Sequence, residues 1–305
     1  MEKISNNPLM CDIETGMCEI PAMAQGTSKE KAMGGKKLKV TYFTDPICST
    51  CWGIEPQLRK LKLEYGDHLE IEYRMGGLLP DWDYSSGGIS KPADVAHHWD
   101  EVSGHYDMPI DGDVWLEDPL HSSYPPSIAF KAAQMQDEGK AITFLRRIRE
   151  MVFLEKKNIT KWENLLSAAV AAGLNSEAFE QDYNGKAMQR FQEDLEIARQ
   201  YGVRGFPTIF FADEKGEQHK VYGIKPYEVY ESVVTTLIPK VSKAAYPADW
   251  TSLFEIYPTQ ATREFVELSG QTRKESEMML EQLANEAKLG KKETKNGVLW
   301  IKKAI

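Results

Sequence analysis

One short stretch constrains the fold of this chain more than any other. Residues 37–44, Lys-Leu-Lys-Val-Thr-Tyr-Phe-Thr, alternate and then turn apolar, with the β-branched and aromatic content of a half-buried strand. They lead into Cys48-Ser-Thr-Cys51, which opens a segment carrying Trp52, Leu58, Leu61, Leu63 and Tyr65 among charges and closing at Gly66-Asp67. That pattern predicts a helix, with a kink where Pro56 removes a backbone donor. A second strand is predicted over residues 69–75, Leu-Glu-Ile-Glu-Tyr-Arg-Met. Strand, helix and strand in so short a span form a βαβ unit, which requires a parallel pair and a right-handed crossover.

The two cysteines sit where the first strand meets the helix. Backbone N–H groups and the helix dipole at such a site favour a thiolate, so Cys48 is expected to be the nucleophile with a lowered pKa. Cys51, three residues on, is placed to resolve a mixed disulfide by exchange. Half a zinc site is the competing reading, and it needs two further ligands. Asp45 is expected to cap the following helix; taking a proton near Cys51 is the alternative.

Downstream, residues 76–89 read as loop and residues 92–200 as mostly helical, with a capping box at Thr160-Lys-Trp-Glu163. Strands return at residues 207–211 and 218–222, and Pro226 opens a helix running to Pro239. The order β-α-β, helical insertion, β-β-α is that of an α/β thioredoxin fold interrupted by an all-helical segment at about 78–200. The expected organisation is a flexible tail over 1–36, this domain over 37–240, a linker, and a small unit over 249–305. That last unit is read as three helices (250–256, 259–268, 272–289) and a ribbon turning at Lys295-Asn296-Gly297, a winged-helix-like order.

Composition removes several function classes. The chain holds 46 acidic against 37 basic residues, a net charge of −9, which opposes nucleic acid and anionic membranes as partners. The helix at 273–286 carries four glutamates after its first two basic residues, which argues against DNA contact by the terminal unit. No apolar run nears the roughly 18–20 residues of a membrane span, and the first twenty residues lack a signal-peptide core. The expected location is therefore the cytoplasm. All four cysteines, Cys11, Cys18, Cys48 and Cys51, precede residue 52, unlike those of a disulfide-stapled secreted domain. Cys11 and Cys18 leave three readings: an auxiliary redox pair, which ranks first, inert thiols, or zinc ligands together with Cys48 and Cys51. Their six-residue separation disfavours zinc, and neither a metal nor another cofactor is expected.

The run Thr44-Asp-Pro-Ile-Cys-Ser-Thr-Cys-Trp-Gly-Ile-Glu-Pro56, the insertion and Gly205-Phe-Pro-Thr208 together resemble the DsbA family, in particular its cytosolic FrnE-like branch. Asp113-Val-Trp115, residues 127–133, residues 153–160 and the terminal unit are similar to the YjbH (SpxH) group of that superfamily, whose members present a transcription regulator to the ClpXP protease. The resemblance implies that Cys48 and Cys51 are the redox pair. It also implies that Pro207 forms a cis bond beside them, that the Phe206 backbone docks a bound polypeptide, and that Trp52 and Phe206 line the same groove. Ser49-Thr50 departs from the Pro-His of oxidising members and the Gly-Pro of reducing thioredoxins. Two functions follow as expectations. The first is a cytoplasmic thiol–disulfide oxidoreductase acting on protein thiols or disulfides. The second is an adaptor delivering a regulator to ClpXP, with the cysteine pair as a redox sensor.

Overall fold

The computed structural model describes residues 11–12, 17–19, 37–82 and 91–303, the first two segments by their backbone alone. The remainder of the predicted tail, and residues 83–89 of the predicted loop, lie outside the described residues.

The central sheet is built from β3 (Leu38–Thr44), β4 (Leu69–Met75), β6 (Thr208–Ala212) and β7 (Gln218–Tyr222), in the order β4-β3-β6-β7. β3 and β4 are parallel, as the βαβ reading requires, while β3–β6 and β6–β7 are antiparallel. The central position of β3 explains its sequence: every residue but Lys39 is buried, so the strand is covered on both faces and mostly apolar. The crossover is α1 (Ser49–Gly53) followed by α2 (Glu55–Tyr65). The single kinked helix expected here is instead two helices parted at Ile54. Pro56, in the first turn of α2, cannot donate to the carbonyl four residues back, and its ring excludes a continuous helix.

Between β4 and β6 lies the helical insertion: α3 (Pro92–Tyr106), α4 (Val114–Glu117), α5 (Tyr124–Gln136), α6 (Glu138–Leu154), α7 (Trp162–Ala171), α8 (Ser176–Asn184) and α9 (Ala187–Gln200). The fold is thus α/β and thioredoxin-like with an all-helical insertion. Asp194 of α9, fully buried, fastens the insertion to the sheet edge. Its carboxylate accepts from Arg74 Nη1 at 2.8 Å and the Met75 backbone N–H at 3.0 Å, and pairs with Lys131 Nζ at 2.8 Å. The capping box expected at Thr160 does not form. Asn158 Oδ1 takes the Thr160 hydroxyl at 2.6 Å and its N–H at 2.9 Å, so α7 starts two residues later.

After α9, β5 (Gly205–Phe206) leads through a cis Phe206–Pro207 bond into β6. Two pieces of the segment expected to be a featureless tail are strands, β1 (Cys11–Asp12) and β2 (Met17–Glu19). They form an antiparallel hairpin whose second strand pairs with β5, giving a separate three-stranded sheet β1-β2-β5. Following β7, α10 (Tyr227–Leu237) packs against α2.

The last part of the chain comprises α11 (Trp250–Ile256), β8 (Thr259–Ala261), α12 (Thr262–Ser269), α13 (Arg273–Asn285), β9 (Leu289–Thr294) and β10 (Gly297–Lys302). The helix expected from residue 259 is preceded by β8, which pairs with β10 and completes the sheet β8-β10-β9. Gly297 pairs with Thr294, so the tip of the ribbon is Lys295-Asn296, one residue earlier than the Asn-Gly signal suggested. Phe254, Phe265, Leu268, Leu280 and Trp300 form a second apolar core here, distinct from that of the thioredoxin-like part. A capping box in which Thr272 and Glu275 exchange side-chain and backbone contacts starts α13. The unit rests on α2 through α12, with Lys60 Nζ 3.0 Å from Glu267 Oε1.

Gly76 ends β4 where the chain passes the ring of Phe206. A Cβ at this position would fall 1.7 Å from Phe206 Cζ, with both residues in the packed interior. Gly76→Ala is therefore expected to displace Phe206 and lower stability by about 3 kcal/mol, at the upper end of overpacking costs. Urea unfolding of the variant and its parent measures this, and an unchanged midpoint would contradict the close approach.

Candidate functional site

Cys48 is the N-cap of α1. Its backbone is extended (φ −75°, ψ 107°), and its Sγ accepts the Cys51 N–H at 3.2 Å. A cysteine thus stands where Ser, Thr, Asp or Asn usually caps a helix, and the cap hydrogen bond aims helix dipole and donor at its sulfur. Asp45, expected as the cap, has another role. One carboxylate oxygen accepts the Ile47 N–H at 3.0 Å; the other accepts the Leu78 N–H at 2.8 Å and the Ser123 hydroxyl at 2.9 Å. The residue therefore ties the turn before the cysteines to the loop after β4 and to the start of α5.

The surroundings of the pair come from both halves of the domain. Thr50 and Tyr106 of α3 share a hydroxyl hydrogen bond at 3.0 Å. Trp52 donates its indole N–H to the Pro109 carbonyl at 3.0 Å, stacks on Phe153 at 5.6 Å, and carries the Arg146 guanidinium 4.3 Å above its ring. Beneath lies Arg149 of α6, 1% exposed. It donates to Glu55 Oε1 at 2.7 Å, to Thr44 Oγ1 at 2.6 Å and to the Asp45 carbonyl at 3.3 Å. Thr44 in turn donates to the Tyr42 hydroxyl at 3.1 Å.

Both cysteines are thiols, and both are 0% exposed. This reverses the expectation for Cys48. Burial pushes its thiol well above the ordinary value, and the neighbouring sulfur adds to that, outweighing the donated N–H. For Cys51 burial also raises the pKa, but the hydrogen bond with Cys48, the Arg149 cation, Thr44 and Tyr42 together bring it below the ordinary thiol. The charged form is thus disfavoured at Cys48 and favoured at Cys51. Burial likewise pushes Asp45 up to about 6, against the pull of its three hydrogen-bond donors and Arg149.

The charges continue away from the thiols. Glu55 lies 3.9 Å from Arg59, and Arg59 lies 3.2 Å from the buried Glu264 of α12. Arg146 grips the same Glu264 with two hydrogen bonds, at 2.8 and 3.0 Å, and bonds Glu150 at 2.8 Å. Thr259 donates its hydroxyl to Glu150. A buried chain of ions thus runs from the dithiol to the C-terminal unit.

Of the residues named from sequence, Cys48, Cys51 and Trp52 lie together on α1 and its cap, while Phe206 and Pro207 lie at the junction of β5 and β6. Trp52 and Phe206 do not line an open groove, because both side chains are 0% exposed and belong to the core. The Phe206 backbone is engaged by β2, with Cys18 as its register partner. Sequence reasoning missed Arg149, Arg146 and Glu55. The available signal was an Arg pair spaced i,i+3 on the buried face of an apolar helix, together with a Glu one residue before Pro56. Among the described residues an open groove occurs on the C-terminal unit, bordered by Thr262, Arg273, Met278 and Trp300.

Two substitutions test this electrostatic arrangement. A carboxyl held up to about 6 adds stability below its unfolded value near 3.8 and loses it as pH rises through 6. The stability difference between parent and Asp45→Asn should therefore shift by about 2 kcal/mol in the variant's favour between pH 4 and 7. Denaturant unfolding across that range reads it, and a flat difference would remove the raised carboxyl. Arg149→Met removes the 2.7 Å partner of Glu55, leaving it Arg59 at 3.9 Å with Arg146 and Lys62 farther off, and should cost about 3–5 kcal/mol. It should also delay thiolate formation, followed by ultraviolet absorbance, to higher pH; an unmoved titration would show that Arg149 does not hold the charge.

Comparison with known proteins matches this architecture. A family model described as thioredoxin covers residues 42–232. The ClpXP adapter protein SpxH of Halalkalibacterium halodurans is 34% identical over 300 residues, spanning 96% of this chain and 97% of the relative. The ClpXP adapter protein SpxH of Bacillus subtilis is 31% identical over 270 residues, 87% of this chain and 89% of the relative. The solved structure of the cytosolic disulfide reductase DsbM from Pseudomonas aeruginosa superposes with a TM-score of 0.54 at 23% identity, covering 66% of this chain and all of that one (100%), a likeness of fold. Because the thioredoxin match spans the sheet and insertion and the SpxH relatives match nearly end to end, the chain belongs to the SpxH family of thioredoxin-fold proteins.

Proposed function

We propose that the chain is an adaptor that binds a regulatory protein and presents it to the ClpXP protease. In this reading the Cys48–Cys51 pair is an internal redox-responsive element. The carrying observation is the reach of the similarity. The SpxH relatives match both the thioredoxin-like part and the C-terminal unit, whereas the disulfide reductase accounts for 66% of the chain. A unit with its own core, resting on α2, gives the chain a second surface beyond the thioredoxin-like part, as a two-sided binding protein needs. The buried thiols point the same way, since a catalyst for protein disulfides needs a reachable sulfur.

The adaptor role places the protein in the cytoplasm. Among the described residues no helix is long and apolar enough to cross a membrane. The second reading, a thiol–disulfide oxidoreductase acting on protein substrates, is favoured by one specific arrangement. Cys48 caps the helix that follows β3, with Cys51 in its first turn, and a cis Phe206–Pro207 bond stands at the entry to β6.

The experiment is reconstituted proteolysis. Proteins co-purified with the chain from cells holding an inactivated ClpP are returned to active ClpXP, with and without the chain. Tethering should raise turnover of at least one regulator about tenfold or more at low client concentration, and Cys48→Ser should retain most of that gain. No accelerated turnover, together with insulin reduction lost in Cys48→Ser, would put the oxidoreductase in the adaptor's place.

A further inference from the structure

We propose that the N-terminal hairpin is a resident redox partner of the dithiol: Cys11 and Cys18 form a second cysteine pair that exchanges a disulfide with Cys48 and Cys51. The proposal rests on the reading that the Cys48–Cys51 pair is redox-active, and it adds a partner supplied by the chain itself.

Three placements carry it. Cys11 and Cys18 are direct register partners in the β1–β2 hairpin. Opposite positions of an antiparallel pair stand about 4.5–5.5 Å apart between Cα atoms, inside the range of about 4.4–6.8 Å that a disulfide spans. Next, β2 is added to β5 with Cys18 opposite Phe206 and Glu19 opposite Gly205, so it occupies the strand that ends at Pro207. Finally, β2 also lies against α1, the helix capped by Cys48. The four cysteines of the chain thus fall into two pairs on elements that touch. Because Cys48 and Cys51 are fully buried, a reaction partner already seated at the β5 edge has an advantage over one arriving from solvent. Being covalently attached, it acts at an effective concentration of order mM.

Exchange starts from a hairpin disulfide, formed when two thiols lose two electrons to a small disulfide oxidant such as oxidised glutathione. Cys48, once it has given up its proton, attacks Cys18 Sγ. The Cys11–Cys18 bond breaks, a Cys48–Cys18 bond forms, and Cys11 leaves as thiolate. Cys51 then attacks Cys48 Sγ, forming the Cys48–Cys51 bond and releasing Cys18 as thiolate. The two protons given up by Cys48 and Cys51 end on Cys11 and Cys18, and no further oxidant is consumed. With the hairpin reduced and the dithiol oxidised, the same steps run backwards.

The test uses the full-length Cys51→Ser chain, in which the second step is blocked, treated with oxidised glutathione, digested and analysed by mass spectrometry. The expected product is a cross-link between the peptide of residues 4–29 and that of residues 40–59. It should form at a rate independent of protein concentration and disappear when Cys18→Ser is added. Cys51→Ala serves as the second blocked variant should the serine disturb the buried site. In parallel, a chain carrying Cys11→Ser and Cys18→Ser reports whether Cys48 and Cys51 oxidise on their own. Oxidation there without any cross-link in either blocked variant overturns the exchange and leaves the redox-active dithiol standing. No oxidation of Cys48 and Cys51 in any variant removes that reading, and the exchange with it. A cross-link whose rate rises with protein concentration also overturns the proposal, since the partner would then be another molecule.

Discussion

The arrangement around the dithiol depends on one buried cation. Arg149 reaches, from a helix of the insertion, the end of β3 at Thr44, the carbonyl of Asp45 and the first turn of α2 at Glu55. A buried guanidinium is tolerable only when its charge is met, and Nη1 and Nη2 of Arg149 find their acceptors on the strand, loop and helix that a thioredoxin fold brings together, while Nε has no hydrogen-bond partner among the described residues. The insertion is therefore held to the sheet through charge as well as apolar contact. With the hydrogen bond from Cys48, the same cation offsets the burial of Cys51, so a residue from a distant part of the sequence contributes to the acidity of that thiol.

What could be read directly was whatever depends on neighbours in sequence. Residues 37–44 and 69–75 announce strands through composition, and the cysteine pair announces a helix start, because those signals are local. The Ile54 break was only half legible: Pro56 foretold a disturbance, but a kink and a break differ by how much the surrounding packing tolerates. β8 was hidden because three residues of Thr-Gln-Ala carry no strand pattern of their own and become a strand only when β10 arrives. β1 and β2 were hidden for the same reason, since their partner β5 lies nearly two hundred residues downstream.

Site chemistry shows the same limit. A cysteine at a helix N-terminus reads as a stabilised thiolate when only the helix is considered. Burial instead pushes the Cys48 thiol up, and α3, which packs on α1, is not adjacent to it in sequence. Asp45 reads as a cap until the loop after β4 and the Ser123 hydroxyl claim its oxygens. Trp52 and Phe206 read as groove residues, yet one gives its N–H to Pro109 and the other fills the space that Gly76 leaves open.

The tip of the terminal ribbon reaches back across the molecule. Asn296 donates to the Ile110 carbonyl at 2.8 Å, Lys295 pairs with Asp113 at 3.0 Å, and Gly297 fits against Pro109. Pro109 is also the residue whose carbonyl holds the indole of Trp52. Pro109 thus lies between the tip of the β9–β10 ribbon and the tryptophan that follows Cys51. The C-terminal unit consequently clasps the insertion from outside while its Glu264 is gripped from within by Arg146 and Arg59. A molecule fastened at both ends in this way cannot part its insertion from its sheet like a hinged jaw without first unbuckling the ribbon. Loosening of that ribbon would pass through Pro109 to the tryptophan beside the sulfur pair.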